Sequence, residues 1–138
     1  SYTTFAYEDF SVQVAPDGTA TARVTVRNTG SCDSETVVQL YGRDMIASIV
    51  RPEQELLGFA RIAIACGQRR TVCFRFHLNQ MAFPDEHGRW HVEAGRFRFF
   101  AGPNSADLPL TAEYTQPVTY EVLPEAREYF ADWQLTEE

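Results

Sequence analysis

The sequence predicts an all-β fold, an antiparallel β-sandwich, from three observations. Apolar residues alternate with polar ones at a period of two rather than at the 3.6 of a helix. Turn signals built from Gly, Pro, Asn and Asp recur at the short intervals that separate sandwich strands. Ten Phe and six Tyr enrich the chain in residues that favour half-buried pleated surfaces. With 138 residues, the chain is long enough for one domain with its own core.

The clearest strand is predicted at residues 19–28, where apolar residues alternate with Thr and Arg, so one face is buried and the other is wet. Asp17-Gly18 before it is a turn pair that predicts a hairpin with the preceding segment. Asn28-Thr29-Gly30 marks its end. The predicted buried face consists of Ala20, Ala22, Val24 and Val26.

Further strands follow with the same alternation. Residues 36–43 form the next run, and a second strict apolar face lies between Gly67 and Pro84. Short runs separated by glycines complete the pattern. The apolar positions are Val38, Leu40 and Gly42; Leu57, Phe59, Ile62 and Ile64; Val72, Phe74, Phe76 and Leu78; Trp90 and Val92; Phe97 and Phe99.

Two segments depart from this pattern. The connection from Met45 to Glu55 is long for a hairpin, and long ordered loops in compact domains are often functional. In the tail from Pro124 to Trp133, apolar residues recur at helical spacing behind a proline suited to a first helical turn. We therefore expect a short helix whose aromatic stripe docks either on this sandwich or on a neighbouring domain. The stripe consists of Ala126, Tyr129, Phe130 and Trp133.

Composition excludes several partners. The formal net charge is −7, and all twelve basic residues are Arg. Without a basic stripe, an acidic domain is a poor match for nucleic acid or an anionic membrane, and no segment is long and apolar enough to span a bilayer. Three cysteines without metal-type spacing are expected to be free thiols. The expected compartment is the cytoplasm, with secretion open if a signal lies upstream.

No catalytic, metal or cofactor site is predicted. The adjacent acids Glu8-Asp9 and Asp85-Glu86 are typical of a solvated surface, and nothing in the sequence pairs them for catalysis. His87 and His91 lie in a β-like context, where their spacing does not align them. Two aromatic residues, Tyr41 and Trp90, are candidates for stacking on sugar rings, although most aromatic residues of a sandwich belong to its core.

An ordered set of short motifs points to a known family. It spans roughly residues 1–110, and each motif is weak alone whereas their order and spacing are specific. The set resembles the fibronectin type III-like domain of glycoside hydrolase family 3. The motifs are Ser1-Tyr2-Thr3-Thr4-Phe5-x-Tyr7; Val24-x-Val26-x-Asn28-Thr29-Gly30; Glu35-x-Val37-Val38-Gln39-Leu40-Tyr41; Arg51-Pro52; Glu55-Leu56-x-Gly58-Phe59-x-Arg61; Phe83-x-Asp85; Gly88-x-Trp90; Glu93-x-Gly95-x-Phe97; and Gly102.

The resemblance implies an immunoglobulin/fibronectin type III-like sandwich over residues 1–110 and a C-terminal extension over residues 111–138 with a last strand and a short helix. It implies a non-catalytic accessory domain that supports the catalytic domains of a β-glucosidase or β-xylosidase within the same polypeptide. The expected interdomain contacts are Arg51, Pro52, Leu57 and Phe59. Loop anchoring is the alternative for Arg51, Leu57 and Phe59, and a core position is a further alternative for Phe59. The alternative functions are a carbohydrate-binding module and a protein-interaction module. Fold analogy alone does not choose among them.

Overall fold

Eleven strands lie along the described part of the chain, residues 4–46 and 54–136 of a computed structural model. Their alternation of buried and exposed residues follows the period of two that the sequence carries. The strands are β1 (Phe5–Val14), β2 (Thr19–Asn28), β3 (Ser34–Asp44), β4 (Glu55–Ile64), β5 (Arg69–His77), β6 (Phe83–Pro84), β7 (Trp90–Val92), β8 (Gly95–Gly102), β9 (Leu110–Gln116), β10 (Tyr120–Glu121) and β11 (Asp132–Leu135).

Two four-stranded antiparallel sheets form the sandwich. One has the order β1-β2-β5-β11 and the other β4-β3-β8-β9, while β10-β7-β6 form a small third sheet. Every pairing between neighbouring strands is antiparallel. The predicted all-β sandwich is confirmed. Strand β9 begins at Leu110, so the predicted boundary between residues 110 and 111 falls inside this strand. The division into 1–110 and 111–138 stays a prediction.

One apolar core fills the space between the two sheets. All four residues predicted for the buried face of β2 are fully buried, and so are Val72 and Phe74 of β5. The rings of Phe76 and Phe99 meet edge to face across the core, with 5.6 Å between their centroids. Each large side chain buried in this way contributes about 1.5–3 kcal/mol of transfer free energy. Because the chain supplies the core and both sheets itself, it has what one domain needs to fold alone.

The predicted hairpin between β1 and β2 is confirmed. Gly18 adopts a φ of 89°, a left-handed conformation that glycine adopts without strain. The Asp17 carboxylate accepts a hydrogen bond from the Thr19 amide at 2.9 Å. A Cβ on Gly18 would lie 2.6 Å from His77 Cε1, because the imidazole of β5 packs against the turn. Both the conformation and the space at this turn therefore require glycine.

The buried side chain of Asn28 closes the end of β2. Its amide nitrogen donates to the carbonyl oxygens of Cys32 at 2.8 Å and Ile64 at 2.9 Å, and its side-chain oxygen accepts from the Gly30 amide at 2.9 Å. The bond to Ile64 joins the two sheets, since Ile64 ends β4, and the other two bonds fix the connection that follows β2. The Asn-Thr-Gly signal thus marks more than a turn, because the buried side chain of its first residue, Asn28, hydrogen-bonds to residues outside β2.

A β-bulge in β4 separates Leu57 from Phe59. Gly58 pairs with Leu40 while Leu56 pairs with Tyr41, so Leu57 is the extra residue on its strand. The extra residue shifts the alternation by one position, which turns Leu57 into the core and Phe59 out to solvent. The change from an odd apolar position at Leu57 to even ones at Ile62 and Ile64 reflects this bulge. The core position considered for Phe59 is wrong for the same reason.

The helix predicted from Pro124 to Trp133 is wrong beyond its first turn. A single 3₁₀ turn covers Pro124–Ala126, and the chain then extends into β11, which pairs with β5. A helix of this length is marginal in water, whereas pairing with the open edge of β5 gives the backbone partners that are already in place, so the tertiary context overrides the helical spacing.

Candidate functional site

Of the first acidic pair, Glu8 forms ion pairs with neighbouring strands and Asp9 forms a bulge. Glu8 lies 3.9 Å from the Arg27 guanidinium and 3.8 Å from that of Arg69, across three strands. Asp9 is the bulge residue of β1, with a φ of 54°. Among the described residues, no three His, Cys, Asp or Glu side chains are grouped to hold a metal ion. The Glu8 carboxylate therefore pairs with guanidinium groups on two neighbouring strands.

The Asp85 carboxylate organises the loop between β6 and β7. Its Oδ1 accepts hydrogen bonds from the amides of His87 at 2.8 Å and Arg89 at 3.0 Å, and its Oδ2 lies 3.4 Å from His91 Nδ1. Desolvation acts to raise the pKa of Asp85, but these hydrogen bonds and the nearby imidazoles outweigh it, so the pKa lies below its ordinary value. The group therefore stays ionised and shapes a turn.

Neither predicted sugar platform presents an open ring. Tyr41 is only 9% exposed, and its hydroxyl donates to Gln39 Oε1 at 2.7 Å. One face of Trp90 is covered by the Arg127 guanidinium, whose carbon lies 3.6 Å from the ring centroid. Burial argues against stacking on Tyr41, and a cation–π contact already occupies Trp90. The stacking assignment of these two residues is therefore not supported by their surroundings.

The four predicted interdomain residues differ in where they lie. Arg51 and Pro52 fall outside the described residues. Leu57 is 1% exposed in the core, which fits the loop-anchoring alternative and leaves no side-chain surface for a neighbour. Phe59 is 56% exposed on the outer face of β4. Of the two described candidates, only Phe59 presents its side chain to solvent.

Phe59 does not stand alone, because the tail brings two more aromatic rings beside it. Phe130 is 74% exposed and Trp133 is 41% exposed. We call this feature the aromatic groove; it has a volume of about 640 Å³. Sequence reasoning identified Phe59 and the tail aromatics separately, but had no means of bringing them together. The groove is lined by Gly58, Phe59, Arg61, Phe130, Ala131, Asp132 and Trp133.

Main-chain and amide hydrogen bonds hold the groove in place. The Ala131 amide donates to the Leu57 carbonyl at 2.9 Å. The buried Gln80 amide nitrogen donates to the carbonyls of Leu57 at 3.1 Å and Tyr129 at 3.0 Å. A Cβ on Gly58 would lie 2.7 Å from the Ala131 Cβ, so the tail approaches β4 at a distance that only glycine allows. The groove is therefore formed in the folded domain before any partner arrives.

The three cysteines are free thiols in this structure, as expected. Cys32 and Cys66 are exposed, and Cys73 is partly buried. The Cys66 amide donates to the Asp33 carboxylate at 2.8 Å, and its thiol donates to the Gly30 carbonyl at 3.2 Å.

In the described part of the chain, no helix combines the length and apolar content needed to cross a bilayer.

Comparison with known proteins agrees with this architecture. A family model described as the fibronectin type III-like domain matches residues 36–105. A periplasmic β-glucosidase from Salmonella typhimurium is 38% identical over 109 residues, which cover 77% of this chain and 14% of that protein. The thermostable β-glucosidase B of Acetivibrio thermocellus is 36% identical over 114 residues, covering 80% of this chain and 15% of that protein.

Solved structures are similar over the same extent. A glycoside hydrolase family 3 β-glucosidase from Bifidobacterium adolescentis superposes with a TM-score of 0.76 and 32% identity, over 83% of this chain and 17% of that one. A β-glucosidase from Kluyveromyces marxianus gives a TM-score of 0.80 and 31% identity, over 87% of this chain and 15% of that one. The chain therefore spans only a small part of the length of the relatives it matches.

Proposed function

Because the chain belongs to the fibronectin type III-like domain family found in glycoside hydrolase family 3 β-glucosidases, we propose that it is a non-catalytic accessory domain of such an enzyme. It supports the catalytic domains of the same polypeptide during hydrolysis of glycosidic bonds. The observation that carries the proposal is the coverage: most of this chain aligns with 14% to 17% of β-glucosidases.

The surface chemistry is consistent with a supporting role. Glycoside hydrolysis needs two carboxyl groups that face each other across the scissile bond, at a separation of about 5–10 Å. Two of the acidic residues are engaged elsewhere: Glu8 joins strands β1, β2 and β5, while Asp85 shapes a loop. Glu113 is engaged in the same way, since it lies 3.5 Å from Arg98 and 3.8 Å from Arg96.

The test compares three proteins: the natural polypeptide that contains residues 1–138, the same polypeptide without them, and residues 1–138 alone. We expect the first to hydrolyse an aryl β-glucoside and the last to be inactive. Removing the domain should lower the melting temperature and the activity of the remainder. Turnover by residues 1–138 that disappears when a carboxylate is replaced would overturn the proposal, as would a truncated enzyme with full stability and activity.

A carbohydrate-binding module is the second candidate, and the observation that favours it is the exposed aromatic groove. Aromatic side chains on a sandwich surface can stack on sugar rings. Retardation of residues 1–138 in a native gel containing polysaccharide would favour this function.

The cytoplasmic compartment stays a prediction, and one similar protein is described as periplasmic.

A further inference from the structure

We propose that the aromatic groove is the surface through which this domain docks on the rest of its own polypeptide. The inference rests on the proposed function and deepens it, because it assigns the supporting contact to particular residues. The occupant is an apolar surface of the adjoining catalytic part. The groove combines one aromatic residue from β4, Phe59, with two aromatic residues from the C-terminal tail, Phe130 and Trp133.

The three aromatic residues of the groove form one exposed apolar patch. Isolated apolar side chains on a protein surface need no explanation, whereas a contiguous patch marks an interaction site. Phe59, Phe130 and Trp133 are 56%, 74% and 41% exposed and line one groove. The largest of these exposures belongs to Phe130, a side chain with no polar atom to offset it. Covering a surface of this kind is favourable, because it removes apolar area from water.

The chemistry of the lining favours a polypeptide over a sugar. Two of the three aromatic rings belong to phenylalanines, which offer no hydrogen-bond donor or acceptor, and the third, that of Trp133, carries a single indole N–H. The charged lining residues are Arg61 and Asp132, and Arg61 also lies 3.8 Å from Glu35. An apolar centre with a sparse charged rim is the arrangement that protein interfaces adopt. The lining therefore has the aromatic centre and the charged rim of a protein interface.

The length of the relatives indicates which polypeptide lies next to the groove. The chain spans 14% of one β-glucosidase and 17% of a solved one, so in such proteins most of the molecule lies outside this domain. A covalently attached neighbour is present at an effective concentration in the millimolar range for a short linker. The rest of the same chain therefore reaches the groove ahead of any free partner.

The rigid construction of the groove is the last argument. The Ala131 amide and the Gln80 side chain tie the tail to the Leu57 carbonyl, and β11 is paired with β5. Binding to a surface that is already formed loses little conformational entropy. The tail thus acts as an inserted strand that carries Phe130 and Trp133 to the position of Phe59.

Hydroxyl-radical footprinting read by peptide mass spectrometry tests the assignment directly. Oxidation of Phe59, Phe130 and Trp133 is measured in residues 1–138 alone and in the natural polypeptide. We expect all three to be oxidised in the isolated domain and protected in the natural polypeptide. The control is Tyr41, which is nearly buried in the domain and should react slowly in both. Equal oxidation of the groove residues in the two proteins overturns the proposal.

Two further outcomes would also overturn it. Protection of the groove in residues 1–138 that increases with protein concentration would assign it to a second copy of the chain. Protection of the isolated domain by an added cello-oligosaccharide, without protection in the natural polypeptide, would assign it to carbohydrate. Either result contradicts docking within the polypeptide.

A pair of variants separates this inference from the proposed function. Phe59→Ser with Phe130→Ser should leave the melting temperature of residues 1–138 almost unchanged and should lower that of the natural polypeptide. Val118→Ser, at a position that is 60% exposed and does not line the groove, should lower neither. If the double variant melts like the wild type in both proteins while deletion of residues 1–138 still destabilises the enzyme, the accessory role stands and the groove assignment is wrong.

Discussion

Strands β2 and β11 belong to the same sheet and differ in almost every physical respect. Strand β2 is central, pairs with β1 and β5, and buries its whole apolar face. Strand β11 is short, lies at the sheet edge, pairs with β5 and keeps most of its residues exposed. The comparison teaches that burial concentrates stability in the centre of the sheet. The edge strand keeps an apolar side chain, Trp133, partly exposed to solvent.

The largest effect should come from breaking the central side of this comparison. Phe74 is fully buried, and its backbone partner on β11 is the exposed Trp133. Phe74→Ala should lower the free energy of unfolding by about 3–5 kcal/mol, because it leaves a large core cavity. Trp133→Ala is the matched control and should cost about 1 kcal/mol in the isolated chain. Equal losses in urea unfolding would contradict the contrast between centre and edge.

Asn28 allows a second test at the end of β2. Asn28→Ala should cost about 2–4 kcal/mol, because the carbonyls of Cys32 and Ile64 and the Gly30 amide lose their buried partner. Asn104→Ala is the control, since that side chain accepts two hydrogen bonds in an exposed loop; about 0.5 kcal/mol is expected there. Chemical denaturation measures both, and similar values would remove Asn28 from its structural role.

The same comparison explains what the sequence could predict. In β2 the alternation of apolar and polar residues, the Asp-Gly turn and the Asn-Thr-Gly end agree with one another, and the structure follows them. Local signals suffice where a strand is buried on one face and bounded by turns. The sandwich was therefore predictable from residues close together in the sequence.

The groove was not predictable by the same means, for two physical reasons. The bulge at Leu57 reverses the phase of β4, and nothing in the local pattern marks the extra residue. The tail runs into an edge strand that contains Trp133, because β5 offered an unpaired edge, which is a tertiary effect. Contacts between residues as distant as Phe59 and Trp133 depend on both events at once.

Gln80 provides a smaller perturbation that is confined to the edge. Gln80→Leu keeps much of the side-chain volume and removes the hydrogen bonds to the carbonyls of Leu57 and Tyr129. We expect a loss of about 1–2 kcal/mol and faster hydrogen exchange at the Ala131 amide, with β2 unaffected. Gln134→Leu on β11 is the control and should leave that exchange rate unchanged. Uniform acceleration across both strands would show that the tail does not open separately.

The smallest effect depends on pH and acts on the tether of the tail. The Tyr120 hydroxyl donates to Asn79 Oδ1 at 2.7 Å, and the Asn79 amide nitrogen donates to the Ala126 carbonyl at 2.9 Å. Desolvation by burial, together with the nearby Tyr114, raises the pKa of Tyr120 from 10.0 to about 12. A raised folded-state pKa contributes stability that is complete below the unfolded value of 10.0 and is lost as the pH rises through 12.

The difference in absorbance at 295 nm between the wild type and Tyr120→Phe should therefore titrate near pH 12, the folded-state pKa of this phenol. Trp133 fluorescence, read in a Trp90→Phe background with Tyr120 intact, should change over the same range, because the phenolate no longer donates to Asn79 and the tail loosens from its 3₁₀ turn. A difference titration centred near the ordinary tyrosine value would contradict the buried tether. A change in fluorescence that persists unchanged in Tyr120→Phe would show that alkaline loosening begins in the central strands, against the contrast between β2 and β11.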